Sequence, residues 1–384
     1  MGATVAAHER LTLETITDAD AFERLGRDWD RLVRAAPRPS PFLLHAWLRE
    51  WWWYYGSSGS LAVHVAYRDG QLVGALPLCV MPVRGLRVLT FMGGRHSALA
   101  DLLAGPREDE VAAALTGQAA TRKHDFANFY GLPGGSRLVD ALGDSRLRVI
   151  ERVESPVLDL DGGWEAVYRA KVSAKKRAED RRRVRNLGRL GDVEAAVART
   201  HDELESALED VFMLHHLRWG GRPDGSELAT EQGRRFVRSA LLALADSDVP
   251  RIITKKVDGR PIAFKVVFLL EGSIYFYRSG FDPAFARFSP GVLTTLDAIE
   301  AGAKEGATRV EFLGGAERYK RELTDSFDPM YEGFGLQTNL RGAVAVRANL
   351  RLVRLRRQLK QSPRLHHLYM DGLAPARRLM SRHS

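Results

Sequence analysis

The clearest concentration of residues suited to chemistry lies between residues 272 and 304. It opens with SIYFYR at residues 273–278, whose alternating pattern predicts a strand. Ser289, Pro290 and Gly291 follow, and proline at a first helical turn predicts that a helix begins near Pro290. These residues leave backbone N–H groups at the positive end of the helix, where a phosphate or pyrophosphate binds well. A simple helix cap explains the same residues equally well.

Several common catalytic motifs are absent from the sequence. There is no Walker A, GxGxxG or GxSxG motif, and the glycine-rich residues 131–136 lack the lysine that follows in a phosphate-binding loop. The pairs His215-His216 and His366-His367 have neither HExxH nor Cys/His spacing. Because neighbouring helical side chains point about 100° apart, such pairs seldom chelate one ion. We therefore predict no metal site.

Basic residues are concentrated in two segments of a chain whose net charge is +9. Residues 341–384 contain eleven Lys or Arg against a single acid, Asp371, which gives +10. Residues 171–190 contain nine basic and two acidic residues, which gives +7. Either segment could contact the phosphates of a ligand, of tRNA or of an anionic membrane surface. Solvated helical faces are the alternative for each segment.

Length and cysteine content indicate the class of protein. A chain of 384 residues exceeds the size at which a single core stops growing, so two domains are expected. Cys79 is the only cysteine, and it lies in the apolar run 73–83, which is too short to cross a bilayer. The first residues lack a basic region followed by an apolar stretch. Together these features predict a cytoplasmic protein.

Hydrophobic periodicity predicts the same order of elements in each half of the chain. In the first half the predicted strands are 11–17, 61–67, 72–83, 87–92, 98–103, 127–131 and 147–160, and the helices are 18–36, 45–55 and 108–123. In the second half the predicted strands are 193–198, 250–257, 261–270, 274–278 and 309–313, and the helices are 202–219, 230–245 and 291–304. Each half has an Asp-Gly hairpin signal, at Asp69-Gly70 and at Asp258-Gly259.

This repetition predicts a tandem α/β protein with mixed sheets flanked by helices. Its halves are residues 1–163 and 192–340, joined by a charged helical connector at 164–191 whose polar density argues against a core helix. Residues 341–384 form a basic helical tail that we expect to dock on the body. The apolar stripe predicted for that tail consists of Leu350, Val353, Leu355 and Leu359.

Motifs of the second half resemble those of the GNAT-type acyltransferases. More narrowly, they resemble the branch related to the cellulose-biosynthesis CelD proteins and to the FemAB peptidyltransferases. The motifs are GFDP at 280–283, SPG at 289–291, FLGGAERYK at 312–320 and LHHLRW at 214–219. The aromatic residues 42–53 are similar to the aromatic helix of that branch's first half. The resemblance covers about residues 11–340.

The resemblance implies tandem GNAT-like folds and an acyl donor, which is acyl-CoA (acetyl-CoA) or, in the Fem branch, aminoacyl-tRNA. In such enzymes the thioester lies against a splayed strand whose backbone N–H groups polarise the carbonyl. Here that strand would include Tyr275 and Tyr277. We expect the first half to shape the acceptor cleft, because the acids that follow Arg107 would repel a pyrophosphate.

The donor's pyrophosphate would lie on the loop that contains Arg287, Ser289, Gly291 and Val292. The loop departs from the usual pattern, because Pro290 and Val292 stand at its two glycine positions.

The resemblance also implies roles for five further residues. Tyr319 corresponds to the tyrosine that serves as acid, and Lys320 to a lysine that supplies a fixed positive charge near the reacting carbonyl. His215, Arg218 and Trp219 would lie at the acceptor entrance, where arginine suits a carboxylate or phosphate. A rim tyrosine, a surface lysine and a core tryptophan are the structural alternatives.

Three hypotheses remain open at this point. The first is an acyltransferase that moves an acyl group from acyl-CoA to an amine or hydroxyl of a small-molecule acceptor, with a cell-envelope or polysaccharide precursor as the expected class. It would act by direct attack, because no nucleophile for a covalent intermediate is evident. The second is a Fem-like transferase that uses aminoacyl-tRNA. The third is an accessory protein of polysaccharide synthesis that has lost donor binding.

Overall fold

The computed structural model describes residues 11–105, 108–219, 227–315 and 317–361, apart from the side chains of residues 227 and 356–361. Within these residues the chain forms thirteen strands: β1 Leu11–Ile16, β2 Ser60–Arg68, β3 Gln71–Val83, β4 Leu86–Phe91, β5 Leu103–Ala104, β6 Phe126–Pro133, β7 Leu147–Asp159, β8 Val193–Ala198, β9 Pro250–Val257, β10 Arg260–Leu270, β11 Ser273–Phe281, β12 Arg309–Glu311 and β13 Ser326–Gly335.

The same residues form twelve α-helices: α1 Ala19–Glu23, α2 Gly26–Arg34, α3 His45–Tyr55, α4 Asp109–Ala120, α5 Arg137–Arg146, α6 Trp164–Lys171, α7 Ala174–Leu187, α8 His201–Trp219, α9 Glu231–Ala245, α10 Pro290–Lys304, α11 Arg318–Arg321 and α12 Leu340–Gln361. None of the described helices is both long enough and apolar enough to cross a membrane.

The chain divides into two compact units that are discontinuous in sequence. The first unit consists of Met1–Val157, Phe312–Glu317 and Ser326–Thr338. The second unit consists of Leu158–Glu311, Arg318–Asp325 and Asn339–Ser384. The sequence predicted consecutive segments instead, because local patterns cannot reveal which sheet a late strand joins.

The first unit is built on a mixed sheet with the order β1-β2-β3-β4-β6-β13-β7, and β5 pairs with β3. Strands β1 to β4 are antiparallel neighbours, and β6 is parallel to β4. Strand β13, which follows the second repeat in sequence, pairs antiparallel with both β6 and β7. Its core contains fully buried aromatic side chains, among them Trp29, Trp47 and Phe129.

The second unit repeats this arrangement with the order β8-β9-β10-β11-β12. Strands β8 to β11 are antiparallel neighbours, and β12 is parallel to β11 after the crossover through α10. Both units therefore consist of four antiparallel strands, a helix and a parallel strand, which is the GNAT-like order predicted from the sequence. Helices α8 and α10 pack on β9, β10 and β11 and position the ends of these strands.

Tight turns join the antiparallel strands at equivalent places in the two units. Asp69-Gly70 and Asp258-Gly259 have positive φ at both positions, as the type I′ hairpin turn requires, so the two predicted turns are confirmed. Arg84-Gly85 and Glu271-Gly272 adopt the same conformation between the next pair of strands. The sequence did not reveal these two turns, because arginine and glutamate are not typical turn residues.

The predicted strand at 98–103 is wrong except at its end. Only Leu103–Ala104 is extended in a ladder. Before it, the Leu99 carbonyl accepts from the Ser40 hydroxyl, and the partly buried Asp101 carboxylate accepts from the amides of Arg137 and Leu138 at the start of α5. Side-chain contacts and one backbone bond, from the Ala100 amide to the Gly131 carbonyl, thus replace a continuous strand ladder in this segment.

The connector and the tail also differ from the prediction. Residues 164–191 contain two helices, and Leu187 at the end of α7 is fully buried with Ile262 and Leu293 in the core of the second unit. In α12 the buried side chains include Val346 and Val353. Leu355, which was assigned to the apolar stripe, is 52% exposed, and the side chain of Leu359 lies outside the described part.

Candidate active site

Strand β11 departs from regular pairing on both of its edges. Its first three residues pair with β12, and the last of these pairs joins Tyr275 to Glu311. On the other edge, Val266 lies opposite Arg278 whereas Val267 lies opposite Phe276, so Tyr277 is a β-bulge residue. A bulge bends the strand and re-aims its backbone groups. Within this unit, β11 therefore continues to its C-terminal end without pairing to β12, as a splayed strand does.

The side chains of the splayed strand are mostly buried. Tyr275 is 1% exposed and Tyr277 is 7% exposed. The Tyr277 ring centroid lies 5.4 Å from that of Phe268, and the Arg278 guanidinium lies 4.1 Å from the Tyr277 ring centroid. Because both tyrosine rings pack in the core, a donor at this strand would be contacted through backbone groups.

A short loop connects β11 to α10, and Asp282 fixes its start. The Asp282 carboxylate accepts from the Ala284 amide at 2.9 Å and from the Arg260 guanidinium at 2.7 Å. A 3-10 turn, Pro283–Phe288, follows and leads directly to the helix. Asp282 is therefore occupied as a cap and ion-pair partner, which argues against it as a general base.

Ser289 has an unusual conformation at the start of α10. Its φ of 51° and ψ of 50° are left-handed, which is uncommon for a residue other than glycine. Although Ser289 occupies the N-cap position, its side chain makes no capping hydrogen bond. The helix-cap explanation of this serine is thus not supported. A strained backbone beside a helix N-terminus is typical of a functional loop.

The remaining loop residues lie around the same helix start. Arg287 is exposed, its guanidinium lies 4.8 Å from the Phe288 ring centroid, and it forms no ion pair with any described residue. The Val292 amide donates to the Ser289 carbonyl at 3.0 Å. At Gly291 a β-carbon would lie 3.2 Å from the ring of Phe281, so the helix start packs closely on the end of β11.

Tyr319 and Lys320 lie on the short helix α11. Tyr319 is partly buried and Lys320 is 5% exposed. The Lys265 ammonium on β10 lies 5.7 Å from the Tyr319 ring centroid and 5.2 Å from that of Phe276. The fold thus brings Lys265 next to Tyr319, and the sequence analysis did not predict this lysine as part of the site. The signal was a lysine inside the otherwise apolar strand at 261–270.

The end of α8 reaches the end of β11. The Arg218 guanidinium lies 3.8 Å from the Phe281 ring centroid and 4.9 Å from that of Trp219. His215, one turn earlier, is buried. Arg218, which is distant from β11 in sequence, therefore lies beside Phe281 at the start of the loop that joins β11 to α10, and Trp219 lies next to it.

Two acids of the second unit, the buried Glu311 and the partly buried Asp297, are already paired with basic residues. Glu311 accepts from Arg309 at 2.9 Å. Burial raises the pKa of Asp297 on α10, although the Lys255 ammonium 2.8 Å away opposes this shift. Among the described residues, no group of three or more His, Cys, Asp or Glu side chains is arranged to hold a metal ion.

Comparison with known proteins gives a family match for this part of the chain. Residues 174–321 match the family model described as acetyltransferase (GNAT) domain. That segment contains β8 to β12, α8 to α10 and the candidate site. No curated protein sequence matches the chain.

Solved structures resemble both units of the chain. FemX superposes with a TM-score of 0.60 at 12% identity, over 85% of this chain and 98% of that one. The C-terminal domain assigned to a lysylphosphatidylglycerol synthetase of Agrobacterium fabrum gives 0.52 at 12% identity, over 86% and 95%. A tandem GNAT protein from the clavulanic acid biosynthesis pathway, in a structure without acetyl-CoA, gives 0.50 at 15% identity, over 86% and 100%. At these identities the likeness establishes a GNAT-like fold.

Proposed function

We propose that this protein is an acyltransferase that moves an acyl group from acyl-CoA to an amine or hydroxyl acceptor. The observation that carries this proposal is the bulge at Tyr277 on a strand that leaves β12 and leads to a helix N-terminus. A splayed strand offers backbone N–H groups to a thioester carbonyl, and the helix start offers its dipole to a pyrophosphate. Ser289, Gly291 and Val292 would line the pyrophosphate, with the exposed Arg287 as its countercharge.

In the reaction, Tyr319 would give a proton to the leaving thiolate as the acceptor attacks the carbonyl. Lys320 would stabilise the negative charge that develops on the carbonyl oxygen, because a buried ammonium acts in a poorly screened environment. Lys265 would position the Tyr319 ring and favour its phenolate once the proton has left. These roles leave acceptor deprotonation to solvent, since Asp282 and Glu311 are occupied by arginine.

On the acceptor side, Arg218 favours a substrate with a carboxylate or phosphate. Its contact with Phe281 supports a position beside the donor loop, with Trp219 and the buried His215 behind it. A cell-envelope or polysaccharide precursor with an anionic group fits this chemistry.

The test compares donor affinity and turnover in three variants. Lys320→Met and Tyr319→Phe should each lower turnover about a hundredfold while acetyl-CoA affinity changes little. Gly291→Asp should weaken acetyl-CoA binding by charge repulsion, and Gly291→Asn is its uncharged control. Lys304→Met, which removes an exposed lysine, is the control for Lys320. Normal turnover in both the Lys320 and Tyr319 variants would show the catalytic assignment to be wrong.

A second candidate, an aminoacyl-tRNA-dependent transferase, is favoured by the surface of α7 and the residues after it. In this region Lys176 and Arg183 are paired with acids of the second unit. The exposed cations that form no ion pair with a described residue are Lys175, Arg181, Arg182, Arg185 and Arg189. Such an unneutralised basic face suits nucleic-acid phosphates.

Binding of tRNA to the wild type and to an Arg181→Gln, Arg182→Gln, Arg185→Gln triple variant separates the candidates. Strong, salt-dependent binding that the triple variant loses would favour the tRNA-dependent reaction. Binding to anionic vesicles and not to tRNA would favour a membrane surface as the partner. A wild type that binds neither acetyl-CoA nor tRNA would favour the accessory-protein alternative.

A further inference from the structure

A pocket of about 480 Å³ lies within the first unit, where β1, β2, the start of β4 and the end of α4 meet. Pockets of this size accommodate small organic molecules. Side chains from four separate elements line it: Thr15, His64, Arg87, Gln118, Arg122 and Lys123. It contains no residue of the proposed acyl-transfer site.

Two buried polar atoms of this pocket have no hydrogen-bond partner among the residues that the structure describes. They are His64 Nε2 and Gln118 Oε1. His64 is 1% exposed, and its other ring nitrogen, Nδ1, lies 2.9 Å from the Thr15 hydroxyl. A buried polar group without a partner is costly to the folded state. Both atoms are closed off from solvent, so a ligand satisfies them by displacing the side chains that cover them.

The charge of the lining has one sign. Arg87, Arg122 and Lys123 contribute three cations, and no carboxylate belongs to the lining. One nitrogen of Arg122 donates to the Leu61 carbonyl at 3.0 Å, and one nitrogen of Arg87 donates to the Lys123 carbonyl. These bonds hold the two guanidinium groups in place, and each guanidinium carries five N–H donors. Two oriented guanidinium forks match the oxygens of a phosphate.

His64 contributes hydrogen bonding to the pocket without adding charge. Burial, followed by the nearby Arg122 guanidinium, lowers the pKa of His64 to about 4, so the ring is neutral at pH 7. Gln118 Oε1, an acceptor, and the imidazole Nε2 are the two unpartnered polar atoms of the lining, and together they suit a hydroxyl group. The outer part, with its cations, suits an anion.

We propose that this pocket binds a small phosphate ester that carries a free hydroxyl group, such as a sugar phosphate. The phosphate contacts Arg87, Arg122 and Lys123, and the hydroxyl donates to Gln118 Oε1 and meets His64 Nε2. This site goes beyond the acyl-transfer function, since it draws only on the first unit and does not depend on a bound donor.

The test is calorimetric titration of the full chain with glucose 6-phosphate, glucose and inorganic phosphate. We expect saturable binding of glucose 6-phosphate that is at least about tenfold tighter than the binding of glucose or of inorganic phosphate. The reason is that glucose 6-phosphate makes both the phosphate contacts and the hydroxyl contacts, whose binding free energies add. Arg122→Gln and Gln118→Leu should each weaken it about tenfold. Arg148→Gln, which removes an exposed arginine of β7 outside the pocket, should leave it unchanged.

Arg122 also bonds a backbone carbonyl, so Lys123→Gln, an exposed substitution, tests the charge without endangering the fold. Equal affinity for inorganic phosphate and glucose 6-phosphate would overturn the hydroxyl assignment. Absence of saturable binding, or equal weakening by Arg148→Gln, would overturn the site. Each result is independent of acetyl-CoA turnover, so failure of this proposal and failure of the acyltransferase proposal can be told apart.

Discussion

Gly302 lies where α10 packs against β11, and replacing it with alanine should destabilise the protein. A β-carbon at this position would lie 2.4 Å from Cδ1 and 2.7 Å from Cγ1 of Ile274. Ordinary contacts begin at 3.4 Å, so the two elements must separate by about 1 Å or Ile274 must change its conformation. Ile274 is fully buried on β11, which leaves its side chain little room to move.

Two opposing effects determine the magnitude for Gly302→Ala. Overpacking of a core contact costs about 1–3 kcal/mol, whereas alanine in place of glycine inside a helix gains about 0.5–1 kcal/mol. The free energy of unfolding should therefore fall by about 1–2 kcal/mol. Because α10 also carries the proposed phosphate loop, its displacement from β11 should weaken acetyl-CoA binding as well.

Urea unfolding followed by tryptophan fluorescence measures this change, with Gly117→Ala as a matched control. Gly117 lies inside α4, and a β-carbon there meets nothing within 4 Å. The control should therefore raise the free energy of unfolding by about 0.5–1 kcal/mol. If Gly302→Ala stabilises the protein as much as Gly117→Ala does, the close contact with Ile274 carries no cost and the reasoning is refuted.

Three further predictions concern stability. Asp101→Ala should lower the unfolding free energy by about 3 kcal/mol, because the amides at the start of α5 lose their charged acceptor. Thermal melts that shift little would contradict this. The pKa of His64 is lowered to about 4 in the folded state, so as the pH falls below 6.5 only the unfolded state gains a proton on this histidine. The free energy of unfolding should therefore fall by up to about 1.4 kcal/mol per pH unit down to pH 4. Unfolding measured between pH 7 and 4 should show a shallower acid slope for His64→Gln, and an identical slope would disprove the assignment. Leu187→Ala should lower the free energy of unfolding, measured with urea, by about 3 kcal/mol, because it empties a fully buried position. Leu190→Ala, at an exposed position, should lower it by less than about 0.5 kcal/mol. Similar values for the two variants would mean that α7 is not anchored in the core.

Much of the local structure was predictable from the sequence because it depends on neighbouring residues. Aspartate followed by glycine specifies a type I′ turn, and both predicted turns form. Alternating and helical periodicities likewise located α3 and β9 at their observed bounds. The segment at 98–103 was mispredicted because its apolar residues resemble a strand, while distant side chains such as Ser40 occupy its backbone groups.

The candidate site was only partly predictable from the sequence, because some of its residues are brought together by contacts between distant parts of the chain. Ser289 and Gly291 were chosen as candidates from the order of residues around a helix start, which is a local signal. The lysine that faces Tyr319 was missed, because its meaning depends on which residues of β11 and α11 lie beside β10. The sequence indicated this lysine only as a charged residue within an otherwise apolar strand.

The sequence by itself therefore determined the repeated order of elements, the hairpin turns and the start of α10, because each depends on residues a few positions apart. Only the tertiary structure decided that β13 joins the sheet of the first unit, that Tyr277 forms a bulge, and that Arg218 lies over Phe281. It also decided that His64 and Gln118 meet in one pocket. These arrangements depend on strand register and on packing between residues far apart in the chain, and hydrophobic periodicity carries no information about either.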